Sequence, residues 1–230
     1  MYLLIDAGNS RLKWLYGNNV PGIVEAVSYR SDWQRKLYLA WHLLPEPRII
    51  AFSSVNHAEI EEQVAALVQR LWQKPLHTFT AQKQTNHTLT IAYEEPHTLG
   101  PDRYLAMLGA RSWAQDPFCV VGCGTAITLD AVDGSGNHLG GLILPGIRLA
   151  ENALLQNTQK LIPMRWTPNP LGTDTAGCIG AGIHHALPAG IDHIIDELES
   201  THGYYFKRFA FGGDAQILFG NRHTYRTEPD

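Results

Sequence analysis

YLLIDAGNSRLKWLY, residues 2–16, is the stretch from which the fold can be inferred. Its two apolar runs, YLLID and SRLKWLY, flank the turn residues Ala7-Gly8-Asn9. A glycine–asparagine pair between two apolar runs favours a tight turn, so the stretch predicts a β-hairpin. A second stretch, FCVVGCGTAITLDAV at residues 118–132, has the same order of strand, glycine turn and strand.

The two hairpins lie half a chain apart, because 116 residues separate Gly8 from Gly124 in a chain of 230. A supersecondary unit that recurs at this distance predicts two duplicated lobes, over residues 1–115 and 116–230. In such a molecule each lobe would open with a hairpin whose turn points into a shared cleft. The alternative is a coincidence between two ordinary turns.

The segment between the hairpins alternates helical and extended patterns. Ser31-Asp32 is a typical N-cap for a helix over WQRKLYLAWHLL, residues 33–44, and RIIAFSSV, residues 48–55, predicts a strand. Apolar residues from Ile60 to Leu71 then recur on one face of a second helix. This alternation predicts the α/β class.

The second half continues in the same way. HLGGLILPG (138–146) and the start of KRFAFGGDAQILF (207–219) predict strands, and residues 173–200 predict a helix that breaks at Pro188. Residues 226–230 contain no closing apolar element. We therefore expect the complete protein to have a final strand or helix after them.

The composition narrows the classes of function. Hydrophobic residues make up 44% of the chain and charged residues 17%, which is typical of a globular protein with a core. The net charge of −4 and the lack of a Lys/Arg run predict no nucleic-acid partner. The N-terminus reaches Asp6 too soon for a signal peptide or a membrane span, which predicts a cytoplasmic protein without a membrane partner.

Cysteine and histidine give no metal or disulfide pattern. Cys119, Cys123 and Cys178 lie in apolar stretches without CxxC spacing, so we expect buried, reduced thiols. The eleven histidines are scattered, and the adjacent His184 and His185 belong to no HExxH motif.

Three glycine turns could approach a phosphate group, because glycine has no β-carbon to block the backbone N–H groups. They are Gly8-Asn9-Ser10, Gly124-Thr125 and Gly212-Gly213, the last followed by Asp214. Neither the Walker A pattern nor GxGxxG occurs. A phosphate site in this chain is therefore expected to be built on hairpins.

Asp6 and Lys13 could add charge to the first turn. A carboxylate at the end of an apolar strand is costly to bury without a partner, and a hydrated Mg²⁺–ATP complex would be one. Lys13 could then meet phosphate oxygens. The alternative is an aspartate that hydrogen-bonds its own turn.

Asp102 is the best candidate for the carboxylate that accepts a hydroxyl proton in phosphoryl transfer. It follows Gly100 and precedes Arg103, and Pro101 is typical of a first helical position. A helix N-terminus and a guanidinium would both attract an acidic substrate. The alternative is a first-turn acid paired with its neighbour, and the spacing alone does not decide between the two.

Five motifs, in this order, resemble the pattern of the type III pantothenate kinases: Asp6-x-Gly8-Asn9-Ser10-x-x-Lys13, Tyr93-x-x-Pro96-x-x-Leu99-Gly100-x-Asp102-Arg103, Gly124-Thr125-Ala126-x-Thr128, Gly140-Gly141-x-Ile143-x-Pro145-Gly146 and Gly212-Gly213-Asp214. Each motif alone is modest, but the set runs along nearly the whole chain. The resemblance favours the catalytic interpretation of Asp102.

The resemblance implies the α/β fold of the acetate and sugar kinase, Hsp70 and actin superfamily, with two duplicated ribonuclease H-like lobes and a central ATP cleft. It implies ATP-dependent phosphorylation of pantothenate to phosphopantothenate, the first step of coenzyme A biosynthesis, with Mg²⁺ accompanying ATP. Such kinases are usually homodimers in which the partner subunit completes the pantothenate pocket, so we expect a homodimer.

The resemblance also assigns roles to residues. ATP would be contacted by Asp6, Ala7, Gly8, Asn9, Ser10, Arg11, Leu12, Lys13 and Thr125. Pantothenate would be held by Tyr93, Gly100, Pro101, Asp102, Arg103 and Thr175. Asp102 would take the proton from its primary hydroxyl.

Gly122 departs from the family pattern. Most members have an aspartate at this position, where it helps bind an activating K⁺ or ammonium ion. A glycine supplies no charged oxygen, so the monovalent-cation site is expected to be weak or absent. We expect relaxed dependence on K⁺ and not a loss of activity.

Two other functions are compatible with this fold. A non-catalytic accessory factor for transcription would have no chemical reason to keep Asp6, Asp102 and Arg103 together. Another kinase of the superfamily, acting on a sugar or an acyl acid, would not need the segment from Tyr93 to Arg103.

Overall fold

The computed structural model describes residues 1–18, 23–55, 58–82, 84–85, 88–156 and 162–228. The chain forms two compact units. The first contains Met1–Gln82 and His97–Tyr104, and the second contains Lys83–Pro96 and Leu105–Asp230. The division at residues 115 and 116 stays a prediction from the sequence.

The first unit is built on a five-stranded sheet with two helices. The strands are β1 (Tyr2–Ala7), β2 (Arg11–Gly17), β3 (Glu25–Ser28), β4 (Ile49–Ser54) and β5 (His77–Thr78), and the helices are α1 (Trp33–Trp41) and α2 (Ala58–Trp72). The strand order is β3-β2-β1-β4-β5, with β1 antiparallel to β2 and parallel to β4. The predicted hairpin, both helices and the strand near residue 50 are confirmed.

Period-two alternation explains the core of this unit. Leu3, Ile5 and Ala7 are buried along β1, and Leu12 and Trp14 are buried along β2. Successive strand residues point to opposite faces, so these five side chains share the face that packs against the helices.

The second unit contains a small β-ribbon, a five-stranded sheet and most of the helices. Its elements and the helix that leads into it are β6 (Gln84–Thr85), β7 (Leu89–Thr90), the 3₁₀ turn (Pro96–Thr98), α3 (Pro101–Trp113), β8 (Phe118–Cys123), β9 (Ala126–Val132), β10 (His138–Pro145), α4 (Ile147–Gln156), α5 (Thr175–Ala181), a π-helical turn (Gly182–Ala186), α6 (Leu187–His202), β11 (Lys207–Phe211), α7 (Ala215–Phe219) and β12 (Tyr225–Glu228). The 3₁₀ turn and α3 are each divided between the units, because His97–Tyr104 belong to the first unit.

The second sheet repeats the topology of the first. Its order is β10-β9-β8-β11-β12, with β8 antiparallel to β9 and parallel to β11. Each sheet therefore places its hairpin strands and its parallel strands in the same relative positions. The predicted duplication of ribonuclease H-like lobes is confirmed.

Two predicted features of the second half differ in the structure. The helix does not break at Pro188, because a π-helical turn ends just before it and Pro188 lies in the first turn of α6, where its missing N–H costs little. Tyr225–Glu228 form a strand that pairs in parallel with β11, although the sequence indicated no such element there. Tyr225 also packs on Phe219, with ring centroids 4.4 Å apart. A further strand or helix after residue 230 stays a prediction.

The cysteines partly follow prediction. Cys119 and Cys123 are buried free thiols, whereas Cys178 is exposed, because it lies on the outward side of α5. Burial raises the pKa of Cys119 to about 12, which makes it unreactive.

In the described ranges, no helix is long and apolar enough to cross a membrane.

Candidate active site

The first hairpin places an acidic side chain opposite a basic one. Asp6 pairs with Lys13 in the register of β1 and β2, and directly opposite residues of an antiparallel pair point to the same face. The next pair, Ala7 and Leu12, points to the other face and is fully buried. The half-buried Asp6 and Lys13 thus lie on the face away from the core, and Ala7 and Leu12 can offer a ligand only their backbone.

The turn itself presents polar groups to solvent. Asn9, Ser10 and Arg11 are exposed. A β-carbon added to Gly8 would lie 3.4 Å from the carbonyl oxygen of Arg11, so the turn is tight at this point. Exposed backbone and short polar side chains are what a phosphate site of the predicted kind requires.

Asp102 lies in the first turn of α3, half-buried, with its carboxylate folded over Gly100. A β-carbon on Gly100 would come within 2.5 Å of Asp102 Oδ1 and 3.8 Å of Val55 Cγ1. The N–H of Val55 donates to the carbonyl oxygen of Ala7 over 3.2 Å. The first unit therefore brings the Asp102 carboxylate close to the end of β1, where the hairpin turn begins.

The predicted alternative for Asp102, an ion pair with its neighbour, is not observed. Consecutive helix residues do not face each other, and Arg103 is 6% exposed and engaged in contacts of its own. Among the residues that the structure describes, the Asp102 carboxylate has no ion-pair partner.

The glycine turns of the second unit meet at one edge of its sheet. The N–H of Asp214 donates to the carbonyl oxygen of Cys123 over 3.1 Å, and the N–H of Gly146 donates to that of Thr125 over 3.0 Å. The segments after β8, β10 and β11 are thus bonded into one cluster, which we call the glycine cluster. Thr125 is exposed on it.

Two glycines make the glycine cluster possible. A β-carbon on Gly146 would collide with the carbonyl oxygen of Gly124. One on Gly212 would collide with the backbone of Cys123, and the φ of +108° at Gly212 is one that L side chains rarely adopt. Gly212, which belongs to a predicted phosphate turn, and Gly146, which belongs to the motif that ends in Pro145-Gly146, are therefore both required for the close approach of these backbones.

The position predicted for a monovalent-cation aspartate is filled from both sides. A β-carbon on Gly122 would lie 2.7 Å from Thr128 Oγ1 and 3.1 Å from Phe211 Cζ, on the two flanking strands. An aspartate there would require both neighbours to move. The residues present do not fit a cation site of the kind that the family pattern implies.

Tyr93 lies in a segment without regular structure and is half-buried. Its ring stacks on that of His138, with centroids 6.0 Å apart and planes 23° apart. His138 Nε2 lies 3.0 Å from Asp130 Oδ1, and both side chains are buried. Neither His138 nor Asp130 was predicted from the sequence as a site residue. The available signal was two polar residues within otherwise apolar strands.

Thr175 is exposed as the first residue of α5. The preceding Asp174 caps this helix by accepting from the N–H of Gly177 over 2.8 Å, and it also pairs with Arg165. The bonds from Gly177 and Arg165 lower the pKa of Asp174. The segment that presents Thr175 is therefore anchored at its start.

Within the first unit, the structure brings the hairpin residues close to the segment from Gly100 to Arg103. Within the second, Thr125 lies in the glycine cluster, and Tyr93 and Thr175 lie in separate segments. No group of three or more His, Cys, Asp or Glu side chains suited to a metal ion occurs among the described residues.

Comparison with known proteins gives a consistent result. A family model described as "Type III pantothenate kinase" matches residues 2–197. The type III pantothenate kinase of Dichelobacter nodosus is 75% identical over 230 residues, which are all of this chain and 94% of that protein. That of Nitrosococcus oceani is 31% identical over 240 aligned positions, covering all of this chain and 90% of that protein.

Two solved structures show the same fold. A protein described as a Baf family transcriptional activator from Campylobacter jejuni has a TM-score of 0.64 at 20% identity, covering 98% of this chain and 90% of its own. A protein described as a 2-dehydro-3-deoxygalactonokinase from Sinorhizobium meliloti has a TM-score of 0.59 at 13% identity, covering 100% and 91%.

Proposed function

The chain belongs to the type III pantothenate kinase family, and from this premise we propose that it phosphorylates pantothenate with ATP, with Asp102 as the base. The observation that carries this proposal is the Asp102 carboxylate, which lies over Gly100 near the end of β1 in the same unit as the hairpin turn. Phosphoryl transfer needs such a carboxylate next to the substrate hydroxyl, and it needs groups that hold the phosphates in line.

ATP is proposed to bind the hairpin Asp6, Ala7, Gly8, Asn9, Ser10, Arg11, Leu12 and Lys13 and to contact Thr125. The buried side chains of Ala7 and Leu12 limit these two residues to backbone contacts. Lys13 would balance phosphate charge, and the exposed Ser10 and Thr125 could donate hydroxyl hydrogen bonds.

Mg²⁺ enters with ATP, and the residues present fit that arrangement. Mg²⁺ commonly binds through one or two carboxylates, water and substrate phosphates, and not in an all-protein cage. The half-buried carboxylate of Asp6 would be its protein partner. When bound, the ion neutralises charge on the phosphates.

Pantothenate is proposed to contact Tyr93, Gly100, Pro101, Asp102, Arg103 and Thr175. The N-terminus of α3 and the positive charge of Arg103 favour an anionic substrate. In the homodimer that we propose, the exposed Thr175 would complete the site of the other subunit. A cytoplasmic location, without nucleic acid, remains part of the same proposal.

Dependence on K⁺ or ammonium is proposed to be weak, because Thr128 and Phe211 fill the position at Gly122. A non-catalytic role in transcription is not favoured. The likeness to the Campylobacter jejuni protein concerns the fold alone.

The proposal is tested by a coupled assay of ADP release from Mg²⁺–ATP. We expect release to require pantothenate and the rate to change less than about threefold, or about 0.6 kcal/mol, when Na⁺ replaces K⁺. A rate of ADP release that is the same with and without pantothenate, whichever monovalent cation is present, would contradict the proposed kinase activity. A rate that vanishes without K⁺ would contradict only the argument from Gly122.

A further inference from the structure

His138 and Asp130 form a buried pair in the second unit that the proposed chemistry does not use. Their side chains are 0% and 3% exposed, and His138 Nε2 lies 3.0 Å from Asp130 Oδ1. In this geometry the Nε2–H donates to the carboxylate, and the buried Nδ1 has no hydrogen-bond partner in the part of the chain that the structure describes. Burying such a pair costs desolvation free energy, which is a reason to look for a function that the pair serves.

An irregularity in the sheet creates this pair. The register of β9 and β10 shifts between His138 and Gly140, and Gly140 has a φ of +129°. His138 pairs with Val132, and Asp130 lies two residues before Val132 on the same face of β9. The β-bulge therefore leaves the imidazole on the same face as the carboxylate.

The same end of β10 is tied to the segment that carries Tyr93. The N–H of Thr90 donates to the carbonyl oxygen of Gly136 over 2.8 Å, and Thr90 forms a bridge with Asn137. Beyond Thr90 the chain has no regular structure as far as Tyr93, so no strand pairing sets the direction of this side chain. The ring of His138, stacked at 6.0 Å, is a contact that can set it.

We propose that His138, held by Asp130, is a positioning residue that orients the phenol of Tyr93 for pantothenate. The inference rests on the proposed function, because it takes Tyr93 as a pantothenate contact. His138 acts through Tyr93 and does not itself touch the substrate. Its removal should therefore affect the use of pantothenate and not that of ATP.

The test is a double-mutant cycle of His138→Gln and Tyr93→Phe in the full chain. Glutamine keeps a donor for Asp130 but removes the ring. We expect His138→Gln to raise the KM for pantothenate about 3- to 10-fold, the size of a lost ring stack, with the KM for ATP within about twofold. In the Tyr93→Phe background, which lacks the hydroxyl to be oriented, His138→Gln should have little further effect.

Additive effects in the cycle, or equal changes in both KM values, would overturn the positioning role. The matched control is His193→Gln, the same change at a histidine whose side chain is 73% exposed, and it should change neither KM. An unmodified protein that releases no ADP with pantothenate would instead overturn the proposed function, and this inference with it.

A second measurement covers the case in which His138→Gln does not fold. In the unmodified protein, the His138 ring resonance can be identified by its Overhauser contact with the Tyr93 ring. We expect it to shift when pantothenate is added and to stay fixed when Mg²⁺–ATP alone is added. Absence of a shift at saturating pantothenate would overturn the positioning role.

Discussion

At the scale of single residues, Gly100 and Asp102 carry most of the proposed chemistry. The sequence placed an acid after a glycine and a helix-starting proline, which predicted a base but left an ordinary surface acid possible. What the sequence could not show is the carboxylate folded over Gly100, because that contact depends on the path of the chain before α3. The pairing of His138 with Asp130 could not be predicted from the sequence either, because it depends on a β-bulge.

Gly100→Ala tests whether this contact matters. The new β-carbon would lie 2.5 Å from Asp102 Oδ1 and displace the carboxylate. We expect kcat to fall about 100-fold, because a shift of about 1 Å in a catalytic group can cost that much. Steady-state kinetics with pantothenate and ATP would measure it.

The matched control is Gly109→Ala in α3, where an added β-carbon meets no atom of the described residues within 4 Å. Because Gly109 is an exposed residue inside α3, this variant should keep its kcat and gain up to about 1 kcal/mol of stability from helix propensity. An equal loss of kcat in both variants would show that the contact with Asp102 is not the cause.

At the scale of elements, strongly patterned segments were predictable and weakly patterned ones were not. The hairpins, α1 and α2 have clear periodicity over six or more residues. β3, β5 and β12 are strands of two to four residues at or near sheet edges, and their sequences contain few apolar residues. The start of α5 adds a cap that the sequence analysis did not use, Asp174 with its partner Arg165.

The Asp174 cap predicts how the free energy of unfolding depends on pH. The pKa of Asp174 is lowered in the folded protein, so its ionised form stabilises the fold above the unfolded pKa, and this contribution is lost as the pH falls toward the folded pKa. Asp174→Asn retains a capping side chain but cannot titrate. We expect its unfolding free energy, from urea titrations, to fall less steeply than that of the parent from about pH 5 downward. Parallel pH profiles would contradict the capping account.

At the scale of the whole molecule, the duplicated topology was predictable because both hairpins carry the same pattern. The membership of the two compact units was not predictable. Lys83–Pro96 and Leu105–Trp113 precede residue 116 and yet belong to the second unit. Contacts between distant segments decide such membership, and a single sequence does not display them.

The oligomeric state is the property that we predict for the whole molecule. The exposed apolar side chains of Trp166 and Leu171 occur close in sequence to Thr175. They favour burial in a homodimer, so light scattering should give twice the chain mass of 25.6 kDa. Trp166→Glu should shift the mass toward one chain.

Leu43→Glu is its control, because Leu43 is also an exposed apolar residue and lies in the first unit. It should leave the mass unchanged. A mass of one chain for the unmodified protein at micromolar concentration would contradict the dimer.

The most direct test of the central claim compares Asp102→Asn with Asp32→Asn by steady-state kinetics. Asp32 is an exposed N-cap, a role that asparagine also fills, so its variant should behave as the parent. We predict that Asp102→Asn lowers kcat for pantothenate by about 100- to 10,000-fold, the usual contribution of a general base, while ATP still binds. A kcat within about threefold of the parent would show that Asp102 is not the base.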